Sequence, residues 1–468
     1  MNKSAGANSA KPATNFDWPL AHEAEALIRQ RLDAFLSLSG FARQLAGRMH
    51  AETGTDFFEW VDHLVLSPQD ETLLLDAGFI HDSKAETPHG EWVLEHPRAT
   101  LPRVLLRKAK QNPSAVGIKP EFVADFIAAH NLRAKPMGEL RSRFRRVVVA
   151  EENGTRLEAV ERRGYRGFVP APLKQSELAA VLKARELFAT RPRRFEADAV
   201  GCKVAARILT EALKLVDRDV ACQLFFEVER AYWESRNRAA RVQKFRQDTL
   251  GLGWGNHDHH TFRCSRAHFA DLNRFLDRLG FVKRERFYAG AEAGWGAQIS
   301  EQPVTNIVIF ADVDLTPDET AIDFSVKKLP PTPSLGTVGL WCGLHGESFL
   351  EAGMHHLEAR FEFDTLREQL QSQGVTTMKP FSDFEFLRQA FTEGERWPVR
   401  RERAERLARA GLITRAQCDQ FLRDGAIGSH LENLQRHGGF KGFNQKAVSA
   451  IISATDPRKQ TLVQDRAA

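Results

Sequence analysis

The stretch Asp258-His259-His260-Thr261-Phe262-Arg263-Cys264 is followed by an amphipathic run from His268 to Phe281. It returns in near-copy at His355-His356-Leu357-Glu358-Ala359-Arg360-Phe361, followed by a polar run that ends at Gly374. Both segments alternate with period two, the pattern of a strand whose side chains point to opposite faces of a sheet. His259, Thr261 and Arg263 therefore share one face, and Phe262 and Cys264 take the other. In the second copy His356, Glu358 and Arg360 share a face opposite Leu357, Ala359 and Phe361. After the first strand, Leu272, Phe275, Leu276 and Leu279 fall at i, i+3, i+4 and i+7, which predicts a helix with one apolar face. Gly280 is placed to stop it. A chain with this repeat must twice lay an apolar strand face under a helix, leaving a histidine and an arginine four residues apart on the other face.

The rest of the chain is read around that repeat. After the first copy, Arg286 to Tyr288, Ala297 to Ser300 and Asn306 to Val313 read as strands, so the order is strand, helix, three strands. Pro330, Pro331 and Pro333 mark a linker, and Thr337 to Trp341 reads as a strand ahead of the second copy. Two charged helices are expected over 395–424, and Ser429 to Arg436 reads as a strand that closes the sheet. Upstream, Asp62-His63-Leu64-Val65-Leu66 is a weaker third echo, with Ser67 where the arginine would stand, so the region reads as a structural or degenerate module and His63 as no ligand. Arg98, Arg103, Arg107 and Lys108 read as a solvated helix face, Val147 to Ala150 and the Glu152-Asn153-Gly154 turn as a hairpin, and 175–189 and 199–240 as helices. Polar tails are expected at 1–15 and 456–468. The divisions are an N-terminal α+β and helical region over 16–245, a first metal-binding module over 250–330 and a second over 335–455.

With 468 residues the chain exceeds one ordinary core. A formal charge of +5 selects neither nucleic acid nor an anionic substrate. The basic hexamer from Arg141 to Arg146 holds a single aromatic, Phe144, and no nucleic-acid module surrounds it. Gly251-Leu252-Gly253-Trp254-Gly255 leads into a strand and not a helix, which excludes a dinucleotide loop. The five cysteines, Cys202, Cys222, Cys264, Cys342 and Cys418, form no CxxC pair and suit a reducing compartment. We expect a cytoplasmic protein without a membrane span or a nucleic-acid partner.

Two histidines and one carboxylate on facing strands are the typical ligand set of a mononuclear non-haem Fe(II) oxygenase. His259 and His356 are the ligand candidates because the repeat places them equivalently. His260 and His355 have the opposite parity and are expected to pack or to support the ligands. Glu358 shares the face of His356 and is one candidate for the carboxylate. Gln298 and Glu301 either line the pocket or sit at a turn.

Strand-helix-three-strand modules used in pairs around a metal resemble the vicinal oxygen chelate superfamily. More narrowly, His259-x-x-x-Arg263, the Asp271-Leu272 helix, Tyr288 and Ala293-Gly294 are similar to the first-ligand segment of the 2-oxoadipate dioxygenase/decarboxylase (2-hydroxyglutarate synthase) family. His356-Leu357-x-x-Arg360 resembles that family's second segment, and Glu432-x-x-Gln435-Arg436-x-Gly438 resembles the segment carrying its ligand glutamate. The likeness covers roughly residues 250 to 450. It implies an α+β fold in which paired βαβββ modules form a metal-binding half-barrel, with helical insertions and an α+β N-terminal half. It further implies Fe(II) held by His259, His356 and Glu432, with Glu358 as the rival third ligand. The implied activity is oxidative decarboxylation and hydroxylation of a 2-oxo acid with O2, releasing CO2. Arg263 would hold a substrate carboxylate through its bidentate fork, with Gln298 and Arg360 as further substrate contacts. A redox-neutral isomerase or lyase on the same fold, or a non-catalytic ligand-binding protein, are the alternatives.

Overall fold

A computed structural model of the chain describes residues 17–107, 114–444 and 456–458. Lys108 and most of both expected tails lie outside the described residues. Asp456 is buried against Thr337, whose hydroxyl donates to it at 3.1 Å.

Two helices, α1 (His22–Leu38) and α2 (Gly40–Arg48), come first. The chain then runs β1 (Val61–Leu66), α3 (Glu71–Asp76), β2 (Ile80–His81), β3 (Trp92–Glu95) and β4 (Arg103–Leu106), followed by β5 (Ser114–Ile118), α4 (Val123–Ala129), β6 (Phe144–Glu152) and β7 (Thr155–Arg162). These seven strands form one sheet in the order β2-β3-β4-β1-β5-β7-β6. β1 is parallel to β4, β5 is parallel to β7, and β1 and β5 meet antiparallel at the centre. The sheet is thus two strand-helix-strand modules joined through their first strands. The second module has three strands where the first has four, and an antiparallel bridge between Met137 and Arg146 stands on its outer edge. Asn153 and Gly154, both at positive φ, make the tight turn between β6 and β7.

Helices α5 (Gln175–Ala189), α6 (Asp198–Leu215), α7 (Arg218–Ser235) and α8 (Arg238–Asp248) connect to the second sheet. There the wiring repeats: β8 (His257–Arg263), α9 (Phe269–Arg278), β9 (Val282–Tyr288), β10 (Trp295–Gln302) and β11 (Ile307–Asp314) form one module. After α10 (Thr337–His345) come β12 (His356–Arg360), α11 (Phe363–Ser372), β13 (Ser382–Phe384), β14 (Leu387–Phe391), β15 (Glu395–Trp397), α12 (Arg401–Arg409), α13 (Arg415–Asp424) and β16 (Ala426–Arg436). β8 pairs parallel with β11 and β12 with β16, while β8 and β12 meet antiparallel. The main path is β13-β14-β16-β12-β8-β11-β10-β9, with β15 attached to β16. The fold is therefore α+β, built of paired βαβββ modules with helical insertions and, among the described residues, no closed barrel, and the N-terminal half uses the same plan. No described helix is long and apolar enough to cross a membrane.

The back of the second sheet explains the amphipathic pattern. Phe262, Leu357 and Ala359 pack under Leu272, Leu276 and Leu366, in a core shared with α5, α6 and α7 through Phe188, Leu209, Phe225 and Phe226. A separate core under the first sheet gathers Ile28, Leu32, Leu64, Val104 and Leu157. The connecting helices share the second core and not the first.

Three expectations are corrected. Thr337 to Trp341 is the start of α10 and not a strand, because its run is apolar on every side and so carries no period. Asp314 of β11 anchors its first turn by accepting from the Val338 and Gly339 N–H groups at 3.1 and 2.9 Å. The basic stretch near Arg103 holds strand β4, not a helix: its Val104, Leu105 and Leu106 are buried while Arg103 lies over the Phe168 ring. β16 does not close the sheet at an edge but lies inside it, between β12 and β14.

Candidate metal centre

Register places the charged residues of the second sheet in rows. His259 of β8 stands opposite Glu358 of β12, which stands opposite Glu432 of β16, which stands opposite Phe391 of β14. His356 stands opposite Thr261 on one side and His430 on the other. Donor atoms of His259, His356 and Glu432 lie within 4.8 Å of one another, and all three residues are buried. His356 Nε2 is 3.0 Å from Glu432 Oε2. Its Nδ1 is 2.9 Å from Nδ1 of His355, a contact that fixes the ring and turns Nε2 to the carboxylate. Phe310 against His259, with ring centroids 4.3 Å apart, and Phe391 against His356, at 4.9 Å, wall the group with apolar surface.

Glu358 belongs to the same cluster. It is fully buried, its Oε1 is 2.8 Å from His259 Nδ1, and with Asp258 and His259 it makes a second convergence of donors. Gln389 of β14 donates to both carboxylates, at 3.0 Å to Glu358 and 3.1 Å to Glu432. Arg436 donates to Asp258 at 3.1 Å and to Glu358 at 3.3 Å. Burial, then the neighbouring Glu358, holds the Glu432 carboxyl well above the usual range, so it keeps a proton that a cation would displace. Burial, then the charges of His259, His430 and Arg263, pushes His356 far down and keeps it neutral, the form that ligates. Burial works in the same direction on His259, but the carboxylates of Glu358 and Asp258 outweigh it and raise that imidazole. Two imidazoles and a carboxylate that surrenders a proton fit a divalent cation, with Glu358 as a second available oxygen donor.

The remaining expected site residues are divided. Arg263 lies on the same face, 2% exposed, across from Asp312 and with its guanidinium 5.8 Å from the Trp341 ring centre. Burial pushes Asp312 up to about 7 against the pull of Arg263 and His259. Arg360 points toward the first sheet, where its Nη1 is 3.3 Å from Glu59 Oε2. Gln298 does not join the site. It stands opposite Ala311, which stands opposite Phe262, so it faces the helices. Its amide donates to the carbonyls of Glu285 and Ile299 at 3.0 and 2.8 Å. Glu301 of β10 lies on the site face, in the row of Val308 and His259, and pairs with Lys441 at 2.9 Å. His260 turns away and packs on Phe226, with ring centroids 5.1 Å apart. His63 of β1 occupies the space left by Gly117, where an added Cβ would sit 2.2 Å from its ring, and contacts Asp62 at 2.8 Å.

Asp258, Gln389 and Arg436 were missed as parts of the cluster. Asp258 and Arg436 stand within the motifs already singled out, beside the ligand candidates, and that position was the available signal. Gln389 sits in Leu-Arg-Gln-Ala-Phe, which shows no polar alternation to flag it. The basic hexamer is accounted for by acids: Arg141 pairs with Glu227, Arg143 with Asp217, Arg145 with Glu161 and Arg146 with Glu158.

The class of protein defined here is a paired-module α+β fold that gathers two histidines and carboxylates on the inner face of one sheet. No family model matches the chain, and no curated protein does. Among solved structures, a triple mutant of 4-hydroxymandelate synthase from Streptomyces coelicolor is similar at 11% identity, covering 86% of this chain and 98% of that one with a TM-score of 0.26. Methylmalonyl-CoA epimerase from Mycobacterium tuberculosis is similar at 15% identity over 39% of this chain and 88% of its own, TM-score 0.21. An uncharacterised Shigella flexneri protein that includes domain DUF1338 is similar at 12% identity over 55% and 73%, TM-score 0.24. The fold assignment itself rests on the strand wiring described above.

Proposed function

We propose that the chain is a non-haem Fe(II)-dependent dioxygenase that oxidatively decarboxylates and hydroxylates a 2-oxo acid, giving a 2-hydroxy acid and CO2. The observation that carries the reading is the convergence of His259, His356 and Glu432 on one buried sheet face. His259, His356 and Glu432 would hold Fe(II), which when bound would supply dioxygen activation and a Lewis acid for the 2-oxo acid. His355 orients His356, Gln389 holds both glutamates in place, and Phe310 and Phe391 keep bulk water from the reacting atoms. Arg263 is assigned to a substrate carboxylate, and Arg360 to the side facing the first sheet. The five cysteines are all unpaired and buried, which suits a reducing, cytoplasmic setting.

One observation favours a second reading. Glu358 places a further carboxylate beside His259, as a redox-neutral isomerase or lyase of the same fold would need for a proton acceptor. Anaerobic reconstitution with Fe(II), Mn(II), Co(II), Ni(II) or Zn(II), followed by O2-uptake and CO2-release assays on a panel of 2-oxo acids, separates the two. Fe(II)-specific O2 uptake matched by CO2 supports the dioxygenase. Turnover with another metal and no O2 consumption overturns it.

A further inference from the structure

The two sheets enclose between them a cavity of about 330 Å³ that reaches the ring of His259. Its wall is contributed by both halves of the chain: Trp60, Lys119 and Glu121 from the first, and Arg230, His257 and Arg360 from the second and its connecting helices. The volume suits a small metabolite.

Nine Lys and Arg side chains line this space against six Asp and Glu. Five of the cations are already paired, Arg162 with Asp62, Arg166 with Glu95, Arg284 with Glu285, Arg436 with Asp258, and Lys441 with Glu301, and Arg103 donates to the Arg166 carbonyl at 2.6 Å. Three are not satisfied. Arg230 is 2% exposed and spends only Nη2, on Glu121 at 3.2 Å, while its Nε and Nη1 have no hydrogen-bond partner among the described residues. Arg360 is held at longer range, its Nη1 3.3 Å from Glu59 and its Nε 3.8 Å from Asp258, and that Nε makes no hydrogen bond among the described residues. Lys119 makes no ion pair among the described residues, and burial pushes its ammonium down to about 8, the charge of Asp62 opposing this and those of Arg360, Arg162 and Arg230 adding to it. Glu59, which approaches Arg360, is pushed up to about 7 by burial and so neutralises it only in part.

A buried guanidinium with open N–H groups costs free energy, as does a cluster of like charges in a low-dielectric space. Both costs disappear when an anion fills the gap, and a guanidinium edge beside an ammonium is a fitting cradle for a carboxylate or a phosphate. We propose that this cavity is an anion-binding subsite, with Arg230 and Lys119 as its anchors and Arg360 closing it on the metal side. It takes the distal carboxylate or phosphate of the molecule whose reacting end lies at His259. The second clause rests on the function proposed above, whereas the anion site stands on its own residues.

Isothermal titration of the full chain with succinate and with inorganic phosphate, at fixed ionic strength, tests it. Saturable one-to-one binding of either probe is expected, and the preferred probe tells carboxylate from phosphate. Lys119→Met and Arg230→Gln should each weaken that binding at least tenfold, Lys119→Arg should restore most of it, and bound metal should stay at the wild-type stoichiometry. Should Arg230→Gln fail to fold, the Lys119 pair alone decides. The absence of saturable binding by both probes, or equal affinity in wild type and Lys119→Met, overturns the subsite. Anion binding that depends on Lys119 in a protein showing no O2 uptake leaves the subsite standing and removes the proposed activity.

Discussion

At the scale of single residues, the proposed iron site poses one sharp question: which glutamate would serve as its third ligand. Glu432 is 3.0 Å from His356 and Glu358 is 2.8 Å from His259, and Gln389 bonds to both. Because Glu432 converges with both histidines, Glu432→Ala should abolish stoichiometric iron, as should His259→Ala and His356→Ala. Glu358→Ala should retain iron. Metal analysis after anaerobic reconstitution reads this directly, and full iron in the Glu432 variant would transfer the ligand role to Glu358. The same pair sets a pH dependence. Glu432 keeps its proton well above the ordinary carboxylate range, owing to burial and to Glu358, so cation binding must expel that proton. Metal affinity should therefore rise with pH, by about tenfold per unit while one proton is displaced, and fall as the solution is acidified. Chelator competition at several pH values measures the slope, and Glu358→Gln, which removes the neighbouring charge, should flatten it. Period-two parity alone sufficed to separate His259 from His260 and to align Glu358 with His356, since one register error would reverse every side chain. Gln298 shows where that method stops. Its strand was recognised, but the face it presents depends on pairing with Ala311, and pairing is a long-range property.

At the scale of elements, β16 carries the distant glutamate and is held by its neighbours as much as by its own sequence. Trp397 of β15 covers the start of this strand, and at Gly428 an added Cβ would lie 1.9 Å from the indole ring. Gly428→Ala must push either the ring or the strand aside, at a cost of about 1–3 kcal/mol for overpacking. It should lower the melting temperature and, by moving the backbone four residues before Glu432, reduce bound metal as well. Gly47→Ala is the matched control: nothing lies within 4 Å of its added Cβ, so its stability should be unchanged or slightly raised. A wild-type melting temperature in the Gly428 variant would show that the contact is not rigid. Elements with a clear period, such as α9 and β8, were legible from sequence. α10 was not, because a helix buried on all sides has no polar face to reveal its turn. The doubled wiring of the first sheet was equally hidden, since its second module lacks one strand and only its first repeats the histidine.

At the scale of the whole molecule, the helices α5 to α8 share a core with the second sheet, so the chain divides by packing between β7 and α5, where Ala171, Pro172 and Lys174 are exposed. Yet the two units are joined by bonds that do not pass through that segment. Glu121 accepts from the Trp254 N–H at 2.9 Å and from Arg230 at 3.2 Å. Gln243 donates to the Thr53 carbonyl at 2.9 Å, and the Glu362 N–H to the Gly54 carbonyl at 2.8 Å. Exposed loops are the sites where proteases cut, whereas buried inter-unit bonds survive the cut. Brief trypsin treatment should therefore cleave at Lys174 and yield two fragments that co-elute on gel filtration and separate only in denaturant. Glu121→Ala removes an acceptor from both Arg230 and the Trp254 N–H, leaving buried donors unmet, and should let the cut fragments part under native conditions. Release of the N-terminal fragment from the nicked wild-type protein would mean that the first sheet is only tethered, and that the cavity between the sheets lacks a fixed wall.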